Sequence, residues 1–190
     1  MENTVICDLY LDKLNEELPD LADGKASMMR EACVWCLQKC EHTAGVHLDT
    51  TFCDDTGCYK IIWDESKIDA TKLIKSYNLD DAVEFGAEAI SLLLIKKQTP
   101  FTSIERSVRG SGIDYWLGFR TDDPNSLFSK KDARLEVSGI LKENLTNTIK
   151  TRIKRKIQQT EPTDNMFPVY ISIVEFGNPK AKVIKRDANH

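Results

Sequence analysis

The sequence predicts an α/β fold, and three observations carry that prediction. The residues Val83, Ala87, Ile90, Leu93 and Leu94 recur at helical spacing in a segment from about Asp80 to Lys97. A second stripe of Leu145, Ile149, Ile153 and Ile157 marks a helix over Glu143 to Gln159. Between and after these helices lie short β-prone runs, so the second half reads helix, strands, helix, strand.

The other elements follow in order. Thr4 to Leu18 reads as a short helical or mixed element, and Met28 to Lys39 as a helix. His47 to Phe52 and Cys58 to Trp63 read as two strands joined by the turn residues CDDTG. Thr71 to Tyr77 suits a short helix. Asp80 or Asp81 is placed to cap the long helix, and Pro100 ends it. Strands are expected at Ser103 to Val108, Ile113 to Phe119 and Arg134 to Leu141, and VYISIVEF forms another. The tail KAKVIKRDANH adds an edge strand. The 190 residues are expected to form a single domain, with a helical and hairpin portion over 1–79 and a core over 80–190.

Composition narrows the class. The chain is 41% hydrophobic and 29% charged, which fits a globular protein. No apolar run approaches the length of a membrane span, and the acidic start lacks the order of a secretory signal. A cytoplasmic protein without membrane contact is expected. The formal net charge is −4, but seven acids and one Lys stand before Lys25, whereas nine Lys or Arg face three acids from Lys130 to Lys156. That basic stretch suits a polyanion or a solvated helix face. Of the six cysteines, Cys33, Cys36 and Cys40 share one helical stripe, so they read as buried thiols. A zinc site with Cys53, Cys58 and the nearby histidines, or redox chemistry, is the alternative.

Two acids stand out. Asp114 follows the Gly-Ser-Gly turn in VRGSGIDYWLG, and Glu136 lies inside the β-run LEVSGI. A carboxylate inside a strand is costly unless something uses it, and two on neighbouring strands can share a divalent metal. Read without a ligand, Asp114 caps a turn and Glu136 is an exposed edge position paired to Arg134 or Lys142. Alternation places Trp116 on the Asp114 face, where it would line the same cleft.

With these residues in this order, the chain resembles the PD-(D/E)xK nuclease superfamily over about Asp80 to Phe176. The resemblance implies a restriction-endonuclease-like core, a central mixed sheet flanked by helices, carrying an N-terminal α+β extension. It implies Mg²⁺ held by Asp114, Glu136 and the Val137 carbonyl, with Glu84 or Glu88 as the helix acid. The family's Lys, two residues after the Glu, is Ser138 here. Arg152, Lys156 and Gln159 share one flank of the following helix, and Lys150 and Lys154 the other. In related nucleases a Gln or Lys on this helix borders the site. Lys156 and Gln159 are therefore the implied catalytic partners, with Lys154 as fallback. Arg109, Arg152 and Lys154 are the expected nucleic-acid contacts, and the Gly110 and Gly112 amides suit a phosphate. The implied activity is metal-dependent phosphodiester hydrolysis on nucleic acid, alone or as a subunit of a prokaryotic defence system. Two alternatives stand beside it. One is an inactive nuclease-like binding subunit, and the other an unrelated α/β immunity protein whose acidic start faces a basic partner. Either role admits a protein partner or a homodimer.

Overall fold

The computed structural model describes residues 5–108, 110–123, 129–161 and 167–188. Strand β1 (Val5–Tyr10) is followed by a 3-10 turn and a short helix α1 (Leu14–Glu17), then helix α2 (Asp23–Lys39). The hairpin β2 (Val46–Phe52) and β3 (Asp55–Ile62) precedes helices α3 (Ala70–Ser76) and α4 (Leu79–Gln98). Strands β4 (Ser103–Arg106), β5 (Tyr115–Phe119) and β6 (Lys130–Ile140) lead into α5 (Ile149–Thr160), β7 (Val169–Glu175) and β8 (Lys180–Arg186). All eight strands form one mixed sheet in the order β1-β3-β2-β8-β7-β6-β5-β4.

The sheet is covered on both faces. Helix α4 packs on one, with α2 against it, and there Ser91 of α4 meets Ser172 of β7. On the other, Ile149, Ile153 and Ile157 of α5 pack on Val169, Ile171 and Ile173 of β7. Strand β7 is buried along its whole length, as a strand covered twice must be. Gly139 of β6 permits a close helix contact: an added Cβ would lie 2.2 Å from the Val83 carbonyl oxygen of α4.

Several boundaries differ from the sequence reading. The segment at Thr4 to Leu18 opens with a strand, β1, paired in parallel with β3. The cap of α4 is Asn78, whose side chain accepts from the Asp81 amide. Helix α5 begins at Ile149, because Asn144 and Glu143 accept amides of residues 146, 147 and 149 and hold that stretch as a turn. Thr148 and Thr151 then close a capping box.

The largest correction concerns the tail. Strand β8 is not an edge strand but lies between β2 and β7, parallel to the first and antiparallel to the second. It joins the strands of residues 1–79 to those of 80–190 in one continuous sheet. Glu136 likewise sits on an interior strand, flanked by β5 and β7.

The thiol stripe is part of the core. Cys33 and Cys36 are fully buried on α2, and burial pushes the Cys33 thiol well up and the Cys36 thiol to about 12. No helix among the described residues is long and apolar enough to cross a membrane.

Candidate functional site

Alternation along β6 sends Arg134, Glu136, Ser138 and Ile140 toward α5, and Leu135 and Val137 toward α4. Strand β5 starts at Tyr115, so Asp114 lies just outside it. The Asp114 amide still donates to the Leu135 carbonyl at 3.0 Å, and its own carbonyl accepts from Ser107 at 2.8 Å. Its carboxylate accepts from the Val137 amide at 2.9 Å. The N–H and C=O of a strand residue point to the same edge, so the Val137 carbonyl also faces Asp114. Gly110 and Gly112 of the preceding turn adopt φ of 88° and 78°, which only glycine takes without strain.

Glu136 is 2% exposed. One carboxylate oxygen accepts from the Lys156 ammonium and, at 2.8 Å, from the Gln159 amide. The other, Oε2, is buried with no hydrogen-bond partner among the described residues. Burial first, and then the negative charge of Asp114, pushes the Glu136 carboxyl up to about 7, against the pull of Lys156 and Gln159. Such an orphaned oxygen beside a second acid is unusual where nothing uses it.

That displaced proton equilibrium has a consequence for stability. A carboxyl raised in the folded state binds protons there that the unfolded chain has released, so stability falls as pH rises from the usual carboxylate range to about 7. Above that, the folded protein carries the full cost, on the order of 3 kcal/mol. Glu136→Gln is therefore expected to stabilise the protein above neutrality and to lose that gain in mild acid. Urea denaturation at about pH 5 and about pH 8 checks this, and equal gains at both would contradict it.

Two clefts open here. One, of about 590 Å³, is lined by Arg106, Gly110, Gly112, Asp114, Glu136 and Gln159 among others. The second, of about 430 Å³, has an acidic wall of Asp80, Glu84 and Asp114 and a basic wall of Lys142, Arg152 and Lys156. Glu84 and Asp114 line both. Partial burial first, then the charges of Glu88 and Asp114, push the Glu84 carboxyl up.

The structure thus brings Asp114, Glu136, Val137, Lys156 and Gln159 together. It separates the two helix acids. Glu88 lines neither cleft and is fully buried on the α4 side of the sheet. There it accepts from Arg106, from the Tyr115 hydroxyl at 2.8 Å, and from Lys25 at 3.2 Å. Burial, then the Glu88 charge, pushes the Tyr115 hydroxyl far up, so it stays protonated as a donor. Arg106 also approaches Asp114, at 3.6 Å.

Among the expected nucleic-acid contacts, Arg152 lines the smaller cleft, Lys154 is exposed and lines neither, and Arg109 lies outside the described residues. Trp116 does not line either cleft. It meets the Phe167 ring edge-on at 5.8 Å and the Lys131 ammonium at 4.6 Å. Lys142, read from sequence as a partner for Glu136, lines the smaller cleft instead, and Glu136 pairs with Lys156. Asn147 was not singled out by sequence; the turn preceding the Thr148 cap is the signal that places it beside α5. Among the described residues no three His, Cys, Asp or Glu side chains converge as a metal cage. Comparison with family models, curated proteins and solved structures finds no match to this chain.

Proposed function

We propose that the protein is a metal-dependent phosphodiesterase acting on nucleic acid, with its site at Asp114 and Glu136. The observation that carries the reading is the state of Glu136. Its carboxylate is buried on an interior strand, holds a lysine on one oxygen, and leaves the other oxygen, near Asp114, without a hydrogen-bond partner among the described residues.

The donor set fits a hard, oxygen-loving cation such as Mg²⁺. Glu136 Oε2, the Asp114 carboxylate and the Val137 carbonyl would hold it, with Glu84 at the cleft wall. Such a cation, when bound, lowers the pKa of a coordinated water and offsets charge on the phosphate. The chain's own residues prepare that chemistry. The Val137 amide and Arg106 orient Asp114. Lys156 and Gln159 fix the rotamer of Glu136. The Lys156 ammonium brings positive charge to the position where the motif lysine is missing, from the next helix instead of the strand. It stands beside the carboxylate and faces the smaller cleft, where it can neutralise a phosphate oxygen.

The test is cleavage of labelled single- and double-stranded DNA and RNA with Mg²⁺ or Mn²⁺. Cleavage is expected to need the metal, to stop with EDTA, and to fall by at least about 100-fold in Asp114→Asn, which keeps a hydrogen-bond acceptor for the Val137 amide. Metal-dependent binding without cleavage of any substrate would favour an inactive nuclease-like subunit.

A further inference from the structure

Ser138 has a use of its own. Its hydroxyl lies 3.4 Å from a terminal nitrogen of Arg152, and the Asn147 side-chain oxygen accepts from Arg152 Nε at 2.7 Å. A guanidinium carries five N–H donors, and here its two partners are both neutral. No carboxylate lies within 4.0 Å of Arg152 among the described residues, although Arg152 is half-buried. Arg106, by contrast, is engaged by the Glu88 carboxylate.

A half-buried arginine aimed by neutral acceptors has its charge left for a ligand. The cleft it faces sorts its charges by wall. Helix α4 and the Asp114 turn supply Asp80, Glu84 and Asp114, while α5 and the preceding turn supply Lys142, Arg152 and Lys156. Lys142 also forms no ion pair within 4.0 Å among the described residues.

We propose that Arg152, aimed by Ser138 and Asn147 and joined by Lys142, is a phosphate subsite that takes a backbone phosphate of a polynucleotide beside the group handled at Asp114 and Glu136. The proposal rests on the nuclease reading for its choice of polynucleotide, but the phosphate chemistry stands on the cleft itself. Planar forked donors match phosphate oxygens, and Lys142 and Lys156 line the same cleft. Ser138 is then the residue that leaves room for Arg152 and positions it. A lysine at that place would set an ammonium against the guanidinium.

The experiment measures fluorescence anisotropy of a labelled single-stranded oligonucleotide in EDTA, across a salt series, and calorimetric titration of inorganic phosphate. Arg152→Ala and Arg152→Gln are expected to weaken oligonucleotide binding about tenfold and to flatten the log–log salt slope by about 0.7, the loss of one phosphate contact. Ser138→Ala is expected to weaken binding less and to leave the slope unchanged. Lys72→Ala, on a side chain 82% exposed on α3, is the charge-matched control and should change neither quantity. Oligonucleotide binding that is equal in wild type and both Arg152 variants overturns the subsite and leaves the nuclease reading standing. Arg152-dependent uptake of inorganic phosphate without oligonucleotide binding upholds the subsite and removes the polynucleotide reading. Binding of neither probe overturns the subsite.

Discussion

Lys156→Ala is expected to lower metal-dependent cleavage by about two to three orders of magnitude, and Ser138→Lys in the same chain to restore part of the loss. One oxygen of the Glu136 carboxylate is held by the Lys156 ammonium. Removing that ammonium leaves a buried carboxyl with only Gln159 as partner, so its proton is held more tightly and it becomes a poorer ligand. It also removes the positive charge facing the smaller cleft. A lysine at position 138, on the same face of β6 as Glu136, returns positive charge to that side. In the otherwise native chain the same Ser138→Lys change sets a second cation against Arg152 and is expected to reduce cleavage. Single-turnover rates of the three variants, each confirmed as folded by its melting curve, decide the matter. A wild-type rate in Lys156→Ala would remove Lys156 from the chemistry.

Glu88→Ala is expected to cost about 3 kcal/mol of stability, the low end for breaking a buried ion pair. The carboxylate is fully buried and serves three donors, Arg106, Tyr115 and Lys25. Arg106 and Lys25 keep 47% and 29% of their side chains exposed, so each can return to water when released. Tyr115 cannot: it is 2% exposed, and its hydroxyl would be left without that acceptor. For a chain of this size the loss corresponds to a melting temperature lower by roughly 6–12 °C. Glu88→Gln keeps an acceptor for Tyr115 and should cost less. A loss below about 1 kcal/mol in Glu88→Ala, by urea denaturation, would show that the network contributes little. Released from Glu88, Arg106 is free to pair more closely with Asp114, which it already approaches at 3.6 Å, so reduced metal affinity should accompany the loss of stability.

The contrast between Glu84 and Glu88 shows where sequence reasoning stops. The two are four residues apart, one helical turn, and share a face by any periodicity argument. Which one reaches the cleft depends on how far α4 slides along β6, and the bare backbone of Gly139 against Val83 sets that position. Periodicity carries no information about such a slide.

Much of the rest was legible because it is local. Alternation in LEVSGI put an acid where a sheet would bury it, and the spacing of Arg152, Lys156 and Gln159 put them on one flank of a helix whose apolar stripe was plain. Both patterns are properties of neighbours along the chain. The place of β8 between β2 and β7 was not legible, since strand order is a matter of pairing between distant segments, and a short, charged tail reads as an edge. The aim of Arg152 by Ser138 and Asn147 was hidden for the same reason. It joins three residues from a strand, a turn and a helix that meet only when α5 closes on the sheet. The α/β class, the positions of Asp114 and Glu136 on neighbouring segments and the flank shared by Lys156 and Gln159 could be read from the chain alone, because side-chain period follows from backbone geometry. Which acid faces the cleft, and that Arg152 has no carboxylate within 4.0 Å among the described residues, depend on contacts between elements far apart in the chain, because burial and ion pairing are set there.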